Sequence, residues 1–271
     1  MFLASLGAQQ VAVFETFVVP RFLSLFGGPA LNMLIPCEGA LVANLGCRTG
    51  YPDALIPKHL PNCGVYGFDT SSDAIDLARH KSTMLRDGYA RYTTITDIPF
   101  PVRDSSFSHV LCIYPLVARS RFADVVDETA RLVAPRGQVV FALPLRGSYQ
   151  ELVDLLKEYA LKHDDDRVSK AVDAGQANRL TVETLSELLE KCGLVEVDVV
   201  VEQATLTFES GREFFEDPIT RLMILPDIQG MLGLSDIDRP MSYVRTAIDR
   251  YWSDAVFDLS ISIGCASARG V

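Results

Sequence analysis

Three short segments carry residues whose types and spacing could hold a nucleoside. Gly46-Cys47-Arg48-Thr49-Gly50 is a Gly-x-x-x-Gly turn that directly follows the apolar run ALVANL at 40–45. Glycine tolerates positive φ and lets backbone come close to a ligand, so such a turn can lie against a cofactor. Asp69 closes the run VYGFD, nineteen positions after Gly50. A carboxylate there can accept hydrogen bonds from both hydroxyls of a ribose. Asp97, in TDIPFP, can accept from an exocyclic amine. Each feature also has a plainer explanation: a tight strand-to-helix turn for the glycines, and capping of a Ser/Thr-rich turn for the two aspartates.

The elements that would position these residues alternate along the chain. Apolar runs at 40–45, 65–69, 92–95, 109–114 and 138–144 read as strands. Between them lie helical stretches: Asp53 to His59, weakened by Pro57, then SSDAIDLARHKS capped by Ser71 or Ser72, then Phe122 to Leu132. APRG turns into the fifth strand. This rhythm implies parallel β-α-β units with right-handed crossovers, and the unbroken apolar strands suit a sheet buried on both faces. Further on, the spacing predicts a helix over Tyr149 to His163, another after Thr181, a long strand at 195–208, short helices between Gly211 and Leu232, a helix from Met241 to Trp252 and a last strand at 259–267. The N-terminal stretch reads as a helical pair interrupted at Pro20, with Val11, Phe14, Phe17 and Val18 on one face.

Composition narrows the function classes. The 271 residues are 48% hydrophobic and 22% charged, with a formal net charge of -10. That balance argues against a broad nucleic-acid surface, which needs clustered Lys and Arg. The six cysteines show no metal-ligand spacing, and several lie in apolar runs, so no metal site is expected and a reducing, cytoplasmic setting is. Gln9, Gln10 and Glu15 interrupt the apolar N-terminus, so no transmembrane segment is expected there, and packing on the domain is favoured over membrane association. His109 lies within a strand and reads as packed rather than as a base. No nucleophile paired with a base can be picked out.

VANLGCRTG, VYGFDTSSDAIDLAR, TDIPFPVRDSSFSHVLCI and ARLVAPRGQVVFALP occur in the order and spacing of class I S-adenosylmethionine-dependent methyltransferases. The chain resembles in particular the branch that holds malonyl-carrier-protein and small-molecule methyltransferases, over positions 10 to 271. The resemblance implies an α/β fold: a doubly wound, mostly parallel seven-stranded sheet with a helical cap insertion, its last strand antiparallel between the fifth and sixth. It implies one domain over 1–271, with N-terminal helices at 1–38, a cofactor-binding core at 39–208, the cap at 209–256 and the final strand at 257–271. It implies S-adenosylmethionine as cofactor, contacted by Gly46, Cys47, Gly50, Asp69, Thr70, Asp97, Ile98 and Cys112, with Tyr114 toward the substrate. The activity implied is methyl transfer to a small-molecule or carrier-bound acceptor, an in-line displacement that depends chiefly on proximity and alignment.

Four departures from that family stand in the motif region. Asn44 replaces an acidic residue, Arg48 a glycine, and Ser108 an aspartate, while Pro52 and Pro57 fall in the first helix. Those at Asn44 and Arg48 support the rival expectation of a methyltransferase-like protein that has lost catalysis and serves as a binding or assembly partner. A nicotinamide oxidoreductase is more distant, because G-x-G-x-x-G spacing is missing. In the cap, Phe214, Phe215, Met223, Met231 and Trp252 are expected either to shape an acceptor pocket or to be exposed for a protein partner.

Overall fold

The computed structural model describes residues 6–84, 89–115, 117 and 119–271. Seven strands form one sheet in the order β3-β2-β1-β4-β5-β7-β6. They are β1 (Leu41–Leu45), β2 (Gly64–Asp69), β3 (Ala90–Thr94), β4 (Phe107–Ile113), β5 (Val133–Pro144), β6 (Val195–Phe208) and β7 (Phe257–Arg269). The first five are parallel: Asn44 lies beside Gly67 of β2 on one side and Leu111 of β4 on the other, Gly67 beside Tyr92 of β3, and Leu111 beside Val140 of β5. Val42, Ala43, Val110 and Leu111 are fully enclosed, as expected of strands covered on both faces. β7 runs antiparallel to β6, since Glu196 faces Arg269 and Gln203 faces Ser262 in one register. The expected seven-stranded doubly wound sheet is therefore the observed one.

Chain order reverses between β1 and β4, so the switch point of the sheet lies at their carboxyl ends. The Ser72–Thr83 helix, which follows β2, is capped by Ser71, whose Oγ accepts from the Ala74 N–H at 3.1 Å. Its buried face is Ala74, Ile75 and Ala78.

Four local expectations change. The N-terminal pair is one 25-residue helix, Ala8–Asn32, long and apolar enough by composition to cross a membrane. Pro20 does not break it, because Phe14–Leu23 is wound as a π-helix, whose wider ladder accommodates the missing N–H. Asp53–Lys58 is a 3-10 turn rather than an α-helix, since Pro52 and Pro57 withhold two backbone donors. The APRG segment lies within β5 as an outward loop: residues 134–137 intervene where β4 supplies only Ser108, with Arg136 at φ 61. Asp166–Asn178, to which the sequence reading assigns no element, is a helix.

The chain divides into two compact units, 1–143 with 182–202 and 264–271, and 144–181 with 203–263. In the second, Phe214 and Met223 are buried, so of their two expected roles these residues do not offer an exposed surface to a partner. There they form the core with Phe208, Phe257 and Ile224.

Candidate functional site at the strand tips

The 46–50 turn follows β1 tightly. Gly46 and Cys47 both donate their N–H groups to the Phe68 carbonyl of β2, at 2.8 and 3.1 Å. Gly46 and Gly50 have φ of 72 and 83, values that favour glycine, so the backbone freedom expected of them is used. Arg48 also takes positive φ, at 50, a conformation that an L side chain adopts only under local constraint. The constraint is Asp69. Its Oδ2 accepts from the Arg48 N–H at 3.0 Å and its Oδ1 from the Ser71 N–H at 2.9 Å. The Arg48 guanidinium then folds back, bringing Nη1 to 3.9 Å from Asp69 Oδ1. Asp69 has no exposed surface and Arg48 is 5% exposed. The carboxylate expected to grip a ribose is thus enclosed by the backbone and side chain of the turn facing it.

Tyrosine rings fill the space around this pair. Tyr92 of β3 lies over Gly67 of β2, where an added Cβ would sit 2.4 Å from the ring, and its hydroxyl would be 2.9 Å from a Cβ on Gly50. Cys47, Ile75, Ala78 and Tyr92 form one buried apolar cluster. On the other side Tyr51 packs on Gly27 of the N-terminal helix, with its hydroxyl 2.4 Å and its ring 2.5 Å from where a Cβ would stand. These small residues make room for the chain's own aromatic rings.

Beneath the turn, Asn44 donates to the Tyr51 carbonyl at 3.1 Å and to Asp53 Oδ1 at 2.7 Å. Burial pushes the Asp53 carboxyl up to about 6, against hydrogen bonds from Asn44 and Tyr92 that favour its charged form. Where the resembling family carries an acid, this chain carries the amide that satisfies an acid nine residues later. Ser108 likewise turns inward, bridging the Leu41 backbone and the His109 ring at 3.0 Å. His109 also meets the Ile35 carbonyl, and burial lowers its pKa, as suits a packed histidine.

The N-terminal helix covers the same strand tips. Ser71 Oγ donates to the Leu6 carbonyl at 2.7 Å. Lys81 joins Glu15 at 2.6 Å to the Thr49 carbonyl at 2.9 Å, tying helix to turn. Tyr114, just past β4 with φ 49, meets Phe22 and Phe26 edge-on at 5.1 and 4.8 Å. Tyr114 is 4% exposed, so the residue expected to face substrate is packed beneath the helix. Cys112 is also enclosed, and burial pushes its thiol up to about 12.

Asp97 is the accessible carboxylate of the set. Its Oδ1 accepts from the Ile98 N–H and from Arg121 Nη2, both at 2.9 Å. Those two donors, the backbone N–H first, lower its pKa. Gly46, Cys47, Gly50, Asp69 and Thr70 are therefore brought together at the β1 and β2 tips, while Asp97 and Ile98 stand past β3, Cys112 lies within the end of β4 and Tyr114 just past it. Tyr51, Asp53, Tyr92 and Lys81 were missed by sequence reasoning. The signal for Tyr92 lies in the β2–β3 register, which sets it beside Gly67. Among the described residues no cluster of His, Cys, Asp or Glu could hold a metal. In the second unit, separately, a cavity of 420 Å³ is lined by Phe215, Leu225, Met241 and Arg245, and one of 610 Å³ by Tyr159, His163, Asp165 and Tyr243.

Residues 42–137 match the family described as a methyltransferase domain. Among solved structures, the YcgJ protein of Bacillus subtilis is 11% identical at TM-score 0.56, covering 90% of this chain and 97% of its own. Phosphoethanolamine N-methyltransferase 2 of Haemonchus contortus, in complex with phosphomonomethylethanolamine and S-adenosylhomocysteine, is 14% identical at TM-score 0.59. That alignment covers 98% of this chain and 58% of the enzyme. A SAM-dependent methyltransferase of Aquifex aeolicus is 14% identical at TM-score 0.52, over 72% of this chain and 93% of its own. No match was found among curated protein sequences. At these identities the neighbours establish the fold, and the matched domain, the strand order and the glycine turn at the β1 tip agree with them. Residues 42–137 are thus similar to a methyltransferase domain, and the sheet that contains them has the fold of the solved methyltransferase neighbours.

Proposed function

We propose that this chain keeps the methyltransferase fold with its adenosyl cleft closed from within, and works as a binding or assembly partner rather than by methyl transfer. The observation that carries the proposal is the Arg48–Asp69 pair, enclosed at the tips of β1 and β2. The family is S-adenosylmethionine-dependent, and neighbours from Haemonchus contortus were solved with S-adenosylmethionine or S-adenosylhomocysteine. In the conformation described here the residues present do not fit that group. The ribose-binding position has both carboxylate oxygens engaged by backbone N–H groups, and Tyr92 and Tyr51 fill the approaches a ligand would use. The six free cysteines, four of them buried, support a cytoplasmic setting.

A second reading is methyl transfer to a small-molecule or carrier-bound acceptor. It is favoured by Gly46, Gly50, Asp69 and Asp97, which stand beyond the strand ends beside the switch point, where open α/β sheets bind ligands. It requires Arg48 and the helix above it to move away. Calorimetry with S-adenosylmethionine and S-adenosylhomocysteine separates the two. Silence at about 1 mM ligand, an affinity weaker than about 4 kcal/mol, is expected for the native chain, with heat returning in Arg48→Gly. Roughly micromolar binding by the native chain, lost in Asp69→Ala, would establish the second reading instead.

A further inference from the structure

β6 is the last strand of the sheet, with β7 on one side and, among the described residues, no strand on the other. Within the first unit its residues 197–202 are unusually open. Asp198, Val200, Val201 and Glu202 are exposed and Val197 and Val199 are half-buried, with Val200 at 45% and Val201 at 41%. Side chains alternate across a strand, so one face shows Val197, Val199 and Val201, and the other Asp198, Val200 and Glu202. Every second residue directs both its N–H and its C=O away from β7. Soluble proteins commonly guard such an edge with lysine, proline or a bulge. Here VEVDVVVEQATLTF contains no lysine, arginine or proline. Glu196, at φ 53 and near Arg269, ends the open edge on the N-terminal side.

We propose that residues 197–202 form a docking strand for an extended segment of a partner protein in which lysine or arginine alternates with aliphatic residues. The inference deepens, and rests on, the assembly-partner reading above. Backbone pairing along the free edge would supply affinity, the valine face would receive the aliphatic side chains, and Asp198 and Glu202 would select the basic ones. A second copy of this chain is the poorer occupant. Two such edges would set carboxylates against carboxylates, and like charges directly opposite are destabilising. The formal charge of -10 adds repulsion over a longer range.

The test uses the full chain and a labelled octapeptide alternating lysine and valine, read by fluorescence anisotropy at low salt, with amide hydrogen exchange to locate the contact. Saturable binding is expected, at least tenfold weaker for the same peptide with glutamate in place of lysine. New protection should be confined to 197–202 and its immediate neighbours. The double variant Asp198→Lys with Glu202→Lys changes only exposed side chains and should invert the preference between the two peptides. Absence of binding, binding without protection on β6, or concentration-dependent self-association that protects the same amides would each overturn the proposal. Calorimetry with S-adenosylhomocysteine on the same preparation separates this idea from the one it rests on. An inert peptide with silent calorimetry overturns the docking strand alone, whereas ligand heat overturns the closed-cleft reading whatever the peptide does.

Discussion

If the strand tips are closed by the protein itself, removing the Asp69 carboxylate should damage the fold before it damages any binding. Asp69→Ala removes the acceptor of two buried donors, the Arg48 and Ser71 N–H groups at 3.0 and 2.9 Å, together with a carboxylate 3.9 Å from the Arg48 guanidinium. Losing a hydrogen bond to a charged group costs about 1.5–3 kcal/mol. A buried N–H without an acceptor costs about 1–3 kcal/mol. These terms overlap in space, and the 3.9 Å separation of the charged atoms is long, so about 3–5 kcal/mol is a fair total. For a chain of this size the midpoint of thermal unfolding should fall by about 6–20 °C. Asp69→Asn keeps one acceptor and should fall between variant and native. Circular dichroism gives the midpoint, and hydrogen exchange of the β1 and β2 amides shows whether the loss is local to the first unit. A ligand cleft open to water would behave otherwise: Asp69→Ala would leave the midpoint within about 2 °C, because an exposed site contributes little. That result would refute the closed geometry.

Further outcomes follow from neighbouring contacts. Gly67→Ala sets a methyl group 2.4 Å from the Tyr92 ring and should destabilise by about 1–3 kcal/mol, with partial rescue by Tyr92→Leu in a double-mutant cycle. Asp53 has its carboxyl raised by burial to about 6, above the unfolded value near 4. The folded state therefore holds this proton more tightly, and the Asp53 contribution to stability falls as pH rises from about 4 to about 6, by about 3 kcal/mol. Asp53→Asn should abolish that contribution, so urea midpoints of variant and native chain should diverge across this window, and a constant difference would contradict the assignment. Asn44→Asp, although it restores the acid of the resembling family, replaces a donor 2.7 Å from Asp53 by a second acceptor. One of the two carboxyls must then keep a proton, so the variant should lose stability most steeply above neutral pH, as urea titrations at pH 5 and pH 8 would register.

Much of the fold was legible because buried parallel strands leave plain marks: ALVANL before Gly46, VYGFD ending at Asp69 and HVLCIY are apolar runs bounded by turn residues. Positions at the strand tips follow from that topology, so Gly46, Asp69 and Asp97 were placed correctly at the ends of β1, β2 and β3. What occupies the cleft was not legible. Tyr92 reaches Gly50 and Gly67 because β2 and β3 lie side by side, a relation that spacing along the chain does not record. Arg48 turns toward Asp69 because its backbone takes positive φ, and its residue type alone suits an outward direction equally well. Pro20 illustrates the opposite error: a local rule predicted a break, and a π-wound stretch absorbed the missing donor.

The helix that roofs the strand tips imposes an order of events during synthesis. Phe22 and Phe26 emerge from the ribosome well before Tyr114, the ring on which both rest. At roughly 5–20 residues per second, this greasy rod waits on the order of 4–18 s without its seat. Throughout that interval it is a 25-residue segment apolar enough to enter a bilayer. Until β4 is made, the aromatic face of this rod therefore has no partner of its own chain at that position.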